Sequence, residues 1–279
     1  MKTALKNTTR TFGIELEVIA DGHQVARNMT AAGLPTQYEG YNHRTRNVWK
    51  VVYDASVSGG CELVSPPLKG IEGLEQIETA CRVLNEMGAR VNRSCGFHVH
   101  HDARDFKVQN LRNVVQLYAA YESEIDKMMP ASRRGNANGF LRSLKQHACL
   151  ETSAHGIVAS QNVSYRTDAR YTKVNVNAFT QHGTVEFRQH SGTVDAEKVI
   201  AWVILTQRMM ERCKGTRKAP TAEQGRIRNI LQSLGIRNCA GDQLEAGELA
   251  LRNYVNARRE YFRTQTRREA RRATRSRVA

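Results

Sequence analysis

The stretch Phe12-Gly13-Ile14-Glu15-Leu16-Glu17-Val18 sets the strongest constraint on what this chain can fold into. Successive side chains of a strand point to opposite faces, so Phe12, Ile14, Leu16 and Val18 share one face while Glu15 and Glu17 share the other. The first face is core. The second carries two carboxylates whose repulsion and burial cost on the order of several kcal/mol unless a metal ion or basic side chains compensate. Such a strand belongs to a sheet with one covered face and one face that does something else.

The same alternation recurs. Trp49, Val51 and Tyr53 alternate with Lys50, Val52 and Asp54, and Cys61-Glu62-Leu63-Val64-Ser65 forms a further strand stopped by Pro66-Pro67. In Gly96-Phe97-His98-Val99-His100-His101-Asp102, the residues Phe97 and Val99 lie on one face and Gly96, His98, His100 and Asp102 on the other. Val174 and Val176 face the core, with Lys173, Asn175 and Asn177 facing away. In Thr184 to His190, Val185 and Phe187 point inward and Glu186, Arg188 and His190 outward.

Between the strands the period lengthens to three and four residues, the spacing of an amphipathic helix. Ile71, Leu74, Ile77, Cys81 and Leu84 run to a stop at Gly88, and Leu111 to Met129 run to Pro130. A third stripe joins Val199 to Met210, with Thr193 or Asp195 as its N-cap. Asp21 to Arg46 reads as a short helix and loops. Ser132 to Asp168 reads as a lid or substrate loop with a helical fragment near Leu141 to His147. A short helix ends at Gly235 and a basic one begins near Gln243. Alternating strands interleaved with helices predict an α+β fold, an antiparallel sheet with helices packed on one face and the active site on the other.

The chain has 279 residues and a net charge of +15, unevenly distributed. Arg252 to Ala279 hold ten arginines against Glu260 and Glu269, which is +8 of that total. The expected organisation is a catalytic domain over 1–240 and a basic helical or partly disordered tail over 241–279, with weak nucleic-acid contact as the tail's expected interaction. No apolar run is long enough to span a bilayer and Met1 to Leu5 do not resemble a signal peptide, so the expected location is cytoplasmic, without a membrane partner. The six cysteines are scattered, with no Cys-x-x-Cys pair, and read as reduced buried thiols.

Collected on one face, Glu15, Glu17, Glu62, His98, His100, Lys173, Asn175, Glu186, Arg188 and His190 exceed what a solvated sheet face needs. Carboxylates with neighbouring imidazoles suit Mg2+ or Mn2+, and Arg188 with Lys173 suits a polyphosphate. The chemistry read from the face is that of a nucleotide substrate.

Five motifs in order, Gly13-Ile14-Glu15-Leu16-Glu17, Trp49 with Asp54 and Ser56, Glu62 to Pro67, Gly96 to His100, and Thr184 to Arg188 followed by Gly192-Thr193, resemble the amidoligase family. Its members occur in phages and microbes and are carboxylate-amine ligases sharing the catalytic sheet of glutamine synthetase and glutamate-cysteine ligase. The resemblance implies an ATP-dependent reaction that forms an amide, peptide or isopeptide bond through an acyl phosphate. It implies Glu15, Glu17, Glu62, His98 and Glu186 as metal ligands, with Glu17, Glu186 and Arg188 central to catalysis and Arg188 on the transferring phosphate. His100, Lys173, Asn175 and Asp54 follow as nucleotide or substrate contacts; Arg133 or Arg134 is expected to close over ATP from the loop, on its charge and position rather than on the resemblance. Substrates are expected to be small-molecule or peptide carboxylates and amines. Two other readings stay open at this point: a phosphotransferase on the same sheet, and a basic nucleic-acid-binding protein with a decayed site.

Overall fold

The computed structural model describes residues 1–53, 57, 59–144, 169–217, 230–236 and 244–278. Its strands are β1 (Thr11–Val18), β2 (Thr36–Glu39), β3 (Trp49–Tyr53), β4 (Cys61–Val64), β5 (Leu68–Lys69), β6 (Gly96–Asp102), β7 (Val174–Asn175) and β8 (Thr184–Ser191). They form one sheet in the order β2-β3-β4-β1-β6-β8-β7, with β5 paired beside β1. The helices are α1 (Gly22–Ala31), α2 (Gly70–Glu86), α3 (Val108–Asp126), α4 (Ala178–His182), α5 (Ala196–Lys214), α6 (Ile230–Ser233) and α7 (Ala246–Val278).

β1 lies at the middle of the sheet because both of its faces have work to do. Phe12, Ile14, Leu16 and Val18 are buried with Phe97, Val99, Val185 and Phe187 in one core, which α2, α3 and α5 close through Leu74, Ile77, Leu84, Leu111, Tyr118 and Val203. α1 starts where the Asp21 carboxylate accepts from the Gln24 N–H at 2.8 Å. α2 is followed by Gly88 at φ 74°, a left-handed turn that a side chain would strain. α5 is capped by Asp195, whose carboxylate accepts from the Glu197 and Lys198 N–H groups. The α+β architecture, with the large helices on one face, is therefore as the alternating pattern requires.

Four details differ from the sequence reading. Thr36–Glu39, within a passage read as helix and loops, is a strand parallel to β3, so the sheet is not wholly antiparallel. Its residues Gln37 and Tyr38 are both exposed, and no alternation marks it. Second, β8 changes phase. Phe97 pairs with His190 but Val99 pairs with Phe187, so two residues of β8, Arg188 and Gln189, face the single residue His98. This bulge turns His190 away from the site and onto Trp202 of α5, with ring centroids 5.5 Å apart.

Third, Lys173 lies on the helix side rather than the site face. It precedes the two-residue strand β7, and its Nζ is 2.9 Å from Glu122 Oε1 and 2.7 Å from Asp126 Oδ1 of α3, fully buried. Tyr118 and Gln189 extend the same network, with Gln189 Nε2 donating to Arg133 O at 2.8 Å. Fourth, Arg133 is buried and donates to Cys95 O at 2.5 Å, so it braces the entry to β6 instead of closing over a nucleotide. Asp54, Cys149, Cys239 and most of the 132–168 passage, including residues 145–147 of its expected helical fragment, lie outside the described residues. The four described cysteines are free and buried.

α7 packs by its first half. Leu251, Val255 and Phe262 are buried, whereas Thr266 to Arg271 are exposed. No described helix is long and apolar enough to cross a membrane.

Two buried histidines under the sheet give a pH signature. Thr206 Oγ1 donates to Trp202 O, so His101 Nε2 must donate to that hydroxyl at 2.8 Å, while Nδ1 is buried without a partner for a second proton. Burial pushes both His101 and His190 down to about 3. The unfolded chain, with ordinary imidazoles near 6.5, binds those protons first, so stability falls as pH drops from about 6.5 toward 3. The expected slope is at most about 1.4 kcal/mol per pH unit for each ring. Urea unfolding at pH 7 and pH 5 tests this: His190→Phe should lose about half of the slope, and a midpoint that does not move between the two pH values would refute it.

Candidate active site

The order β4-β1-β6-β8 lays one row of polar side chains across the open face. Register places Glu15 opposite His98, Glu17 opposite Glu62, and His100 opposite Glu186. The two oxygens of Glu15 divide between two imidazoles: Oε2 is 3.1 Å from His98 Nδ1 and Oε1 is 3.4 Å from His100 Nε2. Glu186 Oε1 stands 3.6 Å from His98 Nδ1, and its Oε2 accepts from Asn175 Nδ2 at 2.7 Å. Arg188 pairs with Glu186 Oε1.

Two sets of ligand-type atoms result, Glu15 with Glu62 and His98, and Glu15 with His100 and Glu186, each within 4.8 Å of one another. The donors fit a hard divalent cation, being mainly carboxylate oxygen with some imidazole nitrogen. A second observation agrees. His100 Nε2, in the second set, and Nε of Arg188, which pairs with Glu186 of that set, are buried without a hydrogen-bond partner. Such atoms are costly unless something else fills their coordination or bonding sites.

Electrostatics keep Glu15 and Glu186 ionised. Burial pushes the Glu15 carboxyl up, but His100 and His98 outweigh it and hold the group well below the usual carboxylate range. Burial acts the same way on Glu186, where Arg188, His100 and His98 bring it below its ordinary value. Burial lowers His100, and the carboxylates of Glu15 and Glu186 raise it above an ordinary imidazole. Anionic carboxylates are the form that binds a metal.

Glu17 lies beside the row. Its Oε2 accepts from the Gly96 N–H at 2.6 Å and its Oε1 is 3.9 Å from His98 Nε2. Gly96 is glycine for a reason of space, since a Cβ there would lie 2.9 Å from His98 Nε2. Of the residues expected at the site, the structure gathers Glu15, Glu17, Glu62, His98, His100, Asn175, Glu186 and Arg188. Lys173, His190 and Arg133 are placed elsewhere.

Two cavities meet at Glu15, His43, His100 and His182. The first, about 350 Å³, lies over Gly13 between the 42–46 loop, Lys50, Ser65 and Arg104. The second, about 800 Å³, is bounded by Arg142, Arg170, Tyr171, Asn175, Gln181 and Arg188. The sequence reading missed His43, His182, Arg142, Arg170 and Tyr171. They sit in loops and short elements without periodicity; only a glycine inside a strand, Gly13, hinted that something approaches there.

A family described as "Putative amidoligase enzyme" matches residues 8–210, a span that holds the whole row. No curated protein matches the chain. Among solved structures, a bifunctional glutathione synthetase from Pasteurella multocida is similar with a TM-score of 0.42 and 13% identity. That likeness covers 94% of this chain and 48% of the synthetase, so the chain spans about half of that protein's length.

Proposed function

Because the chain belongs to the amidoligase family, we propose that it is an ATP-dependent carboxylate-amine ligase working with Mg2+ or Mn2+. The observation that carries this reading is Glu15, a member of two sets of ligand atoms, with Arg188 paired to Glu186 of the second. Glu15, Glu62 and His98 would hold one ion and Glu15, His100 and Glu186 another. Bound ions would neutralise phosphate charge and align the phosphoryl group for in-line transfer.

A substrate carboxylate oxygen attacks the γ-phosphorus of ATP, the bond from that phosphorus to the bridging oxygen breaks, and ADP leaves. The acyl phosphate is then attacked by an amine nitrogen, which forms the amide, loses a proton and expels phosphate. Arg188 stabilises charge on the phosphoryl oxygens, because its guanidinium is fixed by Glu186 and needs little rearrangement as charge develops. Asn175 holds Glu186 from the other side and keeps its second oxygen directed. His43 and His182, at the junction of the two cavities, line the path between nucleotide and substrate.

The test is a thermal-shift titration with Mg2+, ATP and Mg·ATP, followed by ADP release with and without amine. Mg·ATP at a hundredfold excess over Kd should stabilise by about 2.7 kcal/mol. ADP release should require the amine acceptor for product amide to appear. Phosphorylated product without amide would make the protein a phosphotransferase, and no Mg·ATP shift at millimolar concentration would refute the nucleotide site.

A further inference from the structure

The helix α7 runs well past the apolar contacts that hold it. Leu251, Val255 and Phe262 are buried, and Glu248 and Arg259 tie the same half of the helix to Arg208 and Glu124 of the body. Continued at that spacing, the stripe falls on Thr266, Glu269 and Ala273, which offer no large apolar side chain to bury. Thr266 to Arg271 are exposed. The family match ends at residue 210, so this helix is an addition to the span that the family shares.

What replaces the stripe is arginine. Arg263, Arg267, Arg271 and Arg275 follow at four-residue steps, and Arg268 and Arg272 repeat the step beside them, each step rising about 6 Å along the helix. Like charges at this spacing repel and weaken the helix, and no apolar burial offsets the loss. The helix dipole favours cations only within the last turn, which accounts for Arg275 and Arg277 but not for Arg267, Arg268 or Arg271. Acids on the helix compensate little. Glu260 is held by Arg263 at 2.7 and 2.8 Å, with Arg267 acting on the same carboxylate from further away. Beyond it, residues 267–279 hold six arginines against Glu269. Among the described residues, Arg267, Arg268 and Arg271 form no ion pair.

We propose that the exposed arginine row of α7, with Arg267, Arg268 and Arg271 at its centre, docks on the phosphate backbone of a nucleic acid and holds the enzyme there without entering the reaction. The ten arginines from Arg252 onward are accompanied by no lysine. Guanidinium is the less hydrated cation, and its planar fork meets phosphate oxygens in pairs. A duplex carries one charge per about 1.7 Å of axis, so a regular row of cations finds partners on it without matching any sequence, and counterions are released as it binds. A membrane would need an apolar helix face to insert, which the segment beyond Phe262 lacks. An acidic polypeptide offers carboxylates without that regular spacing. Repulsion that weakens the free helix becomes attraction once a polyanion lies along it.

The test is fluorescence anisotropy of labelled duplex DNA and single-stranded RNA with the full chain, over a series of salt concentrations. Beside it run a helix variant, Arg267→Gln with Arg268→Gln and Arg271→Gln, and a control that removes the same charge from exposed arginines of the body, Arg27→Gln with Arg90→Gln and Arg93→Gln. The parent should bind at least one of the two nucleic acids, more weakly as salt rises. The helix variant should bind it at least about tenfold more weakly, and its slope of log K against log salt should flatten by about 2 to 3 for duplex DNA. The control should bind like the parent. Both variants should keep the parental melting temperature and the Mg·ATP thermal shift, so that failure of the ligase reading and failure of this one are read separately. A parent that binds neither nucleic acid would overturn the proposal, as would a helix variant that binds like the parent or a control that weakens as much as the helix variant. Polyglutamate that displaces the nucleic acid as well as an unlabelled strand of equal charge would also overturn it, in favour of an acidic polypeptide.

Discussion

Glu15→Gln is expected to abolish amide formation, lowering turnover on the order of 10³-fold or more, because one carboxylate serves both sets of ligand atoms. Glu62→Gln and Glu186→Gln each touch one set and should lose less. The Glu15 variant should also lose the Mg·ATP thermal shift while remaining folded. A modest drop in its ligand-free stability is expected at neutral pH. The ionised carboxylate is favoured by His100 and His98, a contribution present above the ordinary carboxylate range and lost only as pH falls through the depressed value. Circular dichroism beside the kinetic assay separates loss of fold from loss of chemistry. Parental turnover in the glutamine variant would remove Glu15 from the mechanism.

Lys173→Met should cost about 3–5 kcal/mol of folding stability, the usual consequence of removing one partner from a buried ion pair. Lys173 is fully buried, and its removal strands Glu122, with 3% of its side chain exposed, beside Asp126. Urea unfolding measures the loss, and adding Glu122→Gln should recover part of it by deleting an uncompensated charge. The ATP KM of the folded variant should stay within about twofold of the parent, since the ammonium is buried behind the sheet against Glu122 and Asp126. A stability loss below about 1 kcal/mol would show that the triad is not what secures this edge.

Those two residues mark where the sequence could and could not be read. Glu15 was legible because a period of two, sustained by Phe12, Ile14, Leu16 and Val18, leaves no freedom about which face it occupies. Its neighbours in the row came from equally regular strands, and the helices from apolar stripes with Asp195 or Gly88 at their ends. Lys173 was misplaced because alternation only dictates a face inside a ladder, and β7 is two residues long. His190 was misplaced because a bulge depends on the partner strand, which one strand's own pattern does not reveal. The cavity walls were invisible for a related reason. His43 and Arg44 are brought to the site because Lys50, on a strand whose alternation was readable, bonds the Asn42 and Arg44 oxygens of their loop, a tertiary arrangement without a sequence period.

The bulge in β8 divides one strand between two masters. On one side Glu186 and Arg188 pair with each other in the polar row; on the other Gln189 is bonded to Tyr118 and His190 lies against Trp202, both facing the helices. Variation along the strand should therefore divide by face, with Glu186 and Arg188 altering the row and Val185, Phe187, Gln189 and His190 altering thermal stability. Deleting one of the two residues opposite His98 would leave His190 facing the helices opposite Phe97, but would take either Arg188 from the row or Gln189 from its bond to Tyr118. Length, more than composition, is what this strand has to keep.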